Sequence, residues 1–245
     1  MIGSLARLAA IGTAGAAYVL GVRPQLQHWG ATDAEAAEPQ PGDGLVPVPR
    51  FASTRAITIA AAPSAVWPWL AQLGEGRGGL YSYESLERLF GMGMVSTDDV
   101  MPELQDLAPG DTVRLAPVGG PDGLTMTVAM LDAPRLLILA SGTRDDGGPG
   151  RGSDEGSEPL RSGDFFAGRP AASWALVLRD VDGATRLISR WRMAWSPSAA
   201  ADLFNAALVE PLHFALDEKM LRGVRDRVER RAARPVEPLE SAPPR

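Results

Sequence analysis

Hydrophobic and polar positions change period several times along this chain, and each change marks an element. Residues 54–59 alternate, with Thr54, Ala56 and Thr58 on one side and Arg55, Ile57 and Ile59 on the other, the period-two pattern of a strand. Pro63 suits the first turn of a helix whose buried stripe is Val66, Leu70 and Leu73, and Pro68 kinks or delays it. The glycines of 74–79 end it. A second short helix is predicted at about 82–90, turning Leu86, Leu89 and Phe90 inward, and a short strand at 94–100. Further strands are predicted at 111–116, 124–131, 135–141, 173–179 and 185–195. Turn residues separate them at Pro121-Asp122-Gly123, Asp132-Ala133-Pro134 and Asp182-Gly183. The last strand runs straight into a very long helix, from Ser198 as N-cap to about Arg231.

The order is strand, two short helices, a run of strands, one long helix. It is not the alternation of a parallel nucleotide-binding sheet. It predicts an α+β fold: a curved antiparallel sheet of six to seven strands wrapped around the C-terminal helix, with two short helices after the first strand. The domain occupies 54–231 and is interrupted at 142–172 by a flexible insertion rich in Gly, Ser, Asp and Pro. Residues 23–53 read as a linker, although Thr32 and Glu35 have capping-box spacing, and 232–245 read as a disordered tail.

Composition narrows the function classes. A chain of 245 residues that is 45% hydrophobic fits one domain with tails. The net charge is −6, and the acidic excess sits in the body while 219–234 is basic. An acidic body argues against a nucleic-acid partner. With no Cys, disulfides, zinc fingers and thiolate catalysis are excluded. The basic stretch closes a helix, where cations complement the macrodipole; an anionic surface is the alternative partner for it. Residues 8–22 are uncharged and flanked by Arg7 and Arg23. Taken as 2–22, this segment reads as a membrane anchor or a signal segment, with a cytosolic helix as a third reading. Membrane association through it is the leading localisation, cytoplasmic or secreted the alternatives.

The segments WGAT at 29–32, PGD at 41–43 and AAPSAVWPWLAQLGEGRGGLYSYESLERL at 61–89 carry a resemblance, as do VMPELQDLAPGD at 100–111 and EPLHFALDEKML at 210–221. Together with the element order they resemble the START-like (SRPBCC, helix-grip) superfamily, nearest its bacterial polyketide cyclase or dehydrase-like members. That resemblance implies a sheet gripping the last helix around a hydrophobic cavity. It does not imply one activity.

Candidate chemistry lies mostly on the last helix. Glu210, His213 and Asp217 fall on one helical face. Pointing into a cavity, they would make an acid–imidazole–acid row whose carboxylates raise the imidazole pKa, suiting a proton shuttle. Alternatively they flank the cavity mouth or pair with arginines of the sheet. Ligand-binding candidates are Tyr81 and Tyr83, Met126 (in a same-face row with Val128 and Met130), Trp174, Trp191, Met193 and Phe214. For the aromatic and methionine positions, core packing is the competing explanation. The literal G-x-G-x-x-G at 74–79 follows a helix rather than a strand, so it reads as an elbow and not a dinucleotide site. Glu210-x-x-His213 lacks the second helix a di-iron site needs, so no metal and no cofactor is expected. The leading expectation is binding of a hydrophobic small molecule, lipid or polyketide-like. The alternatives are a cyclase or dehydratase using His213 as general acid or base, and a ligand-free interaction module.

Overall fold

The computed structural model describes residues 17–83, 95–116, 124–141 and 171–233. It begins with a π-helical stretch, Tyr18–Val22, that continues as α1 (Arg23–Gln27). Then come α2 (Asp33–Ala37), β1 (Phe51–Ile59) and α3 (Pro63–Ala71). Five strands follow: β2 (Thr112–Ala116), β3 (Leu124–Asp132), β4 (Leu136–Ser141), β5 (Ala171–Val181) and β6 (Ala184–Ala194). The C-terminal helix is α4 (Ala199–Phe204), a π turn (Asn205–Val209) and α5 (Glu210–Ala232), without a break.

Among the described residues six strands form one curved antiparallel sheet in the order β1-β6-β5-β4-β3-β2. The alternation of β1 therefore separates two faces. Phe51, Ile57 and Ile59 turn inward and join Leu187, Leu176 and the C-terminal helix residues Met220, Leu221, Val224 and Val228 in the main core. Ala56 turns outward into a smaller cluster with Ile138, Ala175, Val177 and Ile188. The fold class read from the sequence is the one observed.

Several local readings differ. Residues 95–100 form no strand. The helix predicted at 82–90 lies outside the described residues from 84 on, as do the 121–123 turn, most of the 142–172 insertion, the start of the 2–22 segment and most of the 232–245 tail. In β3 the pairing register shifts between Val128 and Met130. That bulge turns the row off the inner face, so Met126 and Val128 are buried whereas Met130 is half exposed. Pro68 is accommodated within α3, which starts on Pro63 as expected. The terminal helix begins on a Ser198 cap, as the sequence predicts, but widens before Pro211. A proline there removes one N–H and crowds the preceding turn. The Glu210 N–H reaches back five residues to the Asn205 carbonyl, which opens the turn.

The stretch read as a linker is bound to the sheet. Trp29 accepts a hydrogen bond from the Ala56 N–H on the free edge of β1 (3.1 Å), and the chain crosses that edge at Gly30. A Cβ on Gly30 would lie 2.1 Å from the Ala56 carbonyl oxygen, and its φ is +70°, so only glycine fits the crossing. Beyond it, α2 and the turn at Asp43–Leu45 lie across the outer face. Glu35 pairs with Arg186 (2.7 Å), Asp43 with Arg190 (2.7 Å), and Glu38 with Arg179. Arg192 donates to the Val46 and Pro47 carbonyls. The Thr32–Glu35 capping box forms. β1 also starts earlier than the alternation suggested, at Phe51.

Candidate functional site

The inner face of the sheet and the first turns of α5 meet around one buried arginine. Arg55 of β1 is fully buried. Its Nη1 donates to Asp217 Oδ2 at 2.8 Å and to His213 Nδ1 at 3.0 Å. Its Nε donates to the Leu26 carbonyl at the end of α1 (2.8 Å), and its guanidinium lies over the Phe214 ring, 5.4 Å from the centroid. On the other side of Asp217, the Ser189 hydroxyl donates to Oδ1 at 2.9 Å and accepts from Trp174 Nε1 at 2.9 Å. The result is a chain, Trp174–Ser189–Asp217–Arg55–His213, joining β5, β6, α5 and β1.

Strand register explains why these side chains meet. Trp174 pairs with Trp191 across β5 and β6, and Arg55 pairs with Ser189 across β1 and β6. Cross-strand partners share a face, so Arg55, Ser189, Trp191 and Trp174 are neighbours on one surface. His213 and Asp217, four residues apart on α5, lie one turn above each other against it.

The charge state of His213 follows from this arrangement. Arginine can only donate, so Nδ1 is the acceptor and the proton of the neutral ring sits on Nε2. Burial, reinforced by the Arg55 charge, holds the imidazole well below its ordinary value. Burial pushes the Asp217 carboxyl up, against the pull of Arg55 and the hydrogen bond from Ser189. The acid–imidazole–acid row therefore does not form. Arg55 stands between His213 and Asp217 and reverses the shift predicted for a histidine beside carboxylates. Glu210 is turned aside as well: buried, it accepts from Arg23 Nε and Nη2 (2.6 and 2.8 Å) and from Gln27 Nε2 (3.4 Å). The alternative of pairing with an arginine of the sheet is the arrangement Asp217 adopts.

Around His213 the walls are aromatic. Phe51 and Trp191 pack edge-on to the imidazole at 5.4 and 4.9 Å, and Trp191 stacks on Trp174 at 4.7 Å. Phe214 meets Trp29 edge-on at 6.5 Å. Three polar atoms in this surrounding are buried without a hydrogen-bond partner: His213 Nε2, Trp191 Nε1 and Ser53 Oγ. Trp191 Nε1, although short of hydrogen-bond geometry, is directed at the Asp217 carboxyl and favours its ionised form, so His213 Nε2 and Ser53 Oγ are the free groups of this patch. Ser53 is the cross-strand partner of Trp191, so the three belong to one patch. Asn205, at the π turn, adds a buried unpartnered Oδ1. Proteins rarely leave such groups unpaired, because each forfeits its hydration.

The remaining candidates are distributed. Met126 is core, and Met193 packs half-buried at its margin. Tyr81 is buried away from this patch: its hydroxyl accepts from Gln72 Nε2 (2.8 Å) and donates to the Trp69 carbonyl (3.2 Å). Burial pushes its phenol up to about 12. Its φ is +56°, and Gly223 of α5 passes so close that a Cβ there would lie 2.3 Å from the Tyr81 carbonyl oxygen. Tyr81 thus fixes the helix to the loop after α3, while Tyr83 is exposed beneath Lys219. The glycine loop closes on itself through Gly74 and Gly79 and is tied to β2 by the Glu75 N–H to the Arg114 carbonyl (2.7 Å), an elbow as expected. Among the described residues no group of acidic and histidine side chains is arranged to hold a metal ion.

No protein-family model matches the chain, and no curated protein matches it. Among solved structures it is similar to protein Ms6760 from Mycobacterium smegmatis, at 15% identity and a TM-score of 0.36, covering 72% of this chain and 90% of that one. It is also similar to protein NE0264 from Nitrosomonas europaea, at 12% identity and a TM-score of 0.40, covering 76% and 98%. A conserved protein from Geobacillus kaustophilus is similar at 13% identity and a TM-score of 0.38, covering 74% and 96%.

Proposed function

We propose that this protein binds a hydrophobic small molecule, lipid or polyketide-like, between the C-terminal helix and the inner face of the sheet. The observation that supports this reading is the pair of unpartnered polar atoms on Ser53 and His213, gathered within an aromatic surrounding that includes Phe51 and Trp191. Binding sites combine that composition, mostly apolar walls with a few polar groups that fix orientation. The element order and the segments that resemble the START-like, helix-grip superfamily favour the same reading. Arg55, Asp217 and Ser189 then act as the frame that holds His213 in one orientation and one tautomer.

Binding is favoured over acid–base catalysis by the state of His213. Nε2 already carries the proton of the neutral ring, and the one basic nitrogen, Nδ1, is taken by Arg55 at 3.0 Å; burial also disfavours the imidazolium that acting as a base would create. The test is native mass spectrometry of protein purified from its host, with His213→Phe and Trp191→Phe alongside the parent chain. A co-purifying apolar molecule, lost or reduced in both variants, is the expected result. A clean apo mass, with no change in tryptophan emission across a panel of fatty acids and aromatic polyketides, would overturn the reading.

A further inference from the structure

The start of the described chain and the start of the C-terminal helix lie side by side and expose apolar side chains together. The Tyr18 hydroxyl donates to the Ala206 carbonyl at 2.7 Å, and Arg23 holds Glu210 one turn further along both helices. Beside these ties, Leu20 is 80% exposed, Leu203 71% and Leu208 52%, and Val19 and Val22 are also exposed. No charged residue occurs at 17–22 or at 203–209. The charges that border the face are engaged: Arg23 with Glu210, and Asp202 with both Arg50 and Trp195 Nε1.

We propose that this two-helix face docks on a lipid bilayer, with Leu203 and Leu208 of the C-terminal helix as a second contact beside the N-terminal run. The occupant is argued from where that run enters. Residues 8–22 hold fifteen successive uncharged positions, and their last members, Val19, Leu20 and Val22, are part of the face itself. A surface that accepts such a run without charge is apolar and extended, as a bilayer interior is. The Tyr18–Ala206 and Arg23–Glu210 ties hold the exposed Leu20 and the exposed Leu203 and Leu208 on neighbouring helices, within reach of one extended apolar surface. The face is also next to the ligand patch, since the π turn at Asn205–Val209 leads directly into Glu210 and His213.

Flotation of the full-length chain with vesicles of phosphatidylcholine alone tests this. The probe carries no net charge, which matches a face without charged residues. The parent chain is expected to float, and Leu203→Glu/Leu208→Glu to lose about tenfold or more of its vesicle affinity, the factor that two buried methylene groups already represent. Both positions are exposed, so circular dichroism and thermal midpoint should be unchanged. A double variant that floats as well as the parent overturns the proposal, because the N-terminal run would then suffice. So does a parent chain that does not float. A parent that sediments as a dimer, does not float, and becomes monomeric on the double substitution overturns it in favour of a second copy as the occupant.

Discussion

A single arginine decides the electrostatics of the inner face. Arg55 is out of water, and its charge is balanced by Asp217 at 2.8 Å. Removing one member of a buried pair leaves the other unpaired, so Asp217→Ala should cost roughly 3–5 kcal/mol in urea unfolding. Replacing both, as Arg55→Met/Asp217→Leu, should recover most of that loss; a double variant as unstable as the single one would show that shape, not charge, dominates. His213 gives a pH signature of known sign. Its native value is held well below the ordinary 6.5, so below that pH the unfolded chain takes up a proton that the native ring refuses. Stability is therefore present above 6.5 and is lost as pH falls, by on the order of 1 kcal/mol between pH 7.5 and 5.5. His213→Asn, which keeps an acceptor for Arg55, should flatten that dependence, and chemical denaturation at the two pH values reads it. Glu210, His213 and Asp217 were legible as one helical face. The partner of His213 and Asp217 was not singled out, although Arg55 sits in an inward alternation with Ile57 and Ile59. A charged residue on the apolar side of a strand is the signal that would have found it.

At the scale of elements, close approaches hold α5 in place, and ion pairs hold the strap, the stretch at 29–46 that crosses the edge of β1 and lies over the outer face. Gly223→Ala should destabilise by more than about 2 kcal/mol, since backbone rather than a flexible side chain stands in the way; a thermal midpoint within a degree of the parent would contradict the described contact with Tyr81. On the strap, Glu35 closes the capping box and grips Arg186, and that guanidinium holds its carboxyl down at about 2. Its contribution is present above the unfolded value of 4.5 and lost as pH falls toward 2. Glu35→Ala should cost about 1–2 kcal/mol at neutral pH and little near pH 2, measured by denaturant titration at both. The six strands, α3 and the C-terminal helix were legible from period and turn chemistry, whereas the strand read at 94–100 does not form over 95–100. The strap was not, because its attachment runs through Glu35, Glu38 and Asp43 to arginines of β5 and β6. Sequence spacing carries no information about such distant pairs, and a Pro- and Gly-rich stretch looks like a connection whether or not it is bound. The β3 bulge was equally silent, since one extra residue leaves the alternation at Met126 and Val128 intact.

Across the whole molecule, two faces of one sheet do different work. The inner face carries the apolar core and the Arg55-centred chain, and the outer face is covered by a strap held mainly by ion pairs. Raising salt should therefore weaken the outer attachment sooner than the inner frame, because the partners on the outside are less shielded from water. Hydrogen exchange in 1 M salt should show earlier loss of protection at 33–46 than at 51–59; equal loss in both would contradict that division. The wrap around β1 has one more consequence, in the order of synthesis. Residues 29–46 are made early, yet Arg186 and Arg190 lie 151 and 147 residues after Glu35 and Asp43. While the ribosome is still translating β2 to β4, Glu35, Glu38 and Asp43 of the strap have none of their arginine partners on β5 and β6. The strap is thus made before the strands that anchor it, and its ion pairs can close only once β5 and β6 have followed.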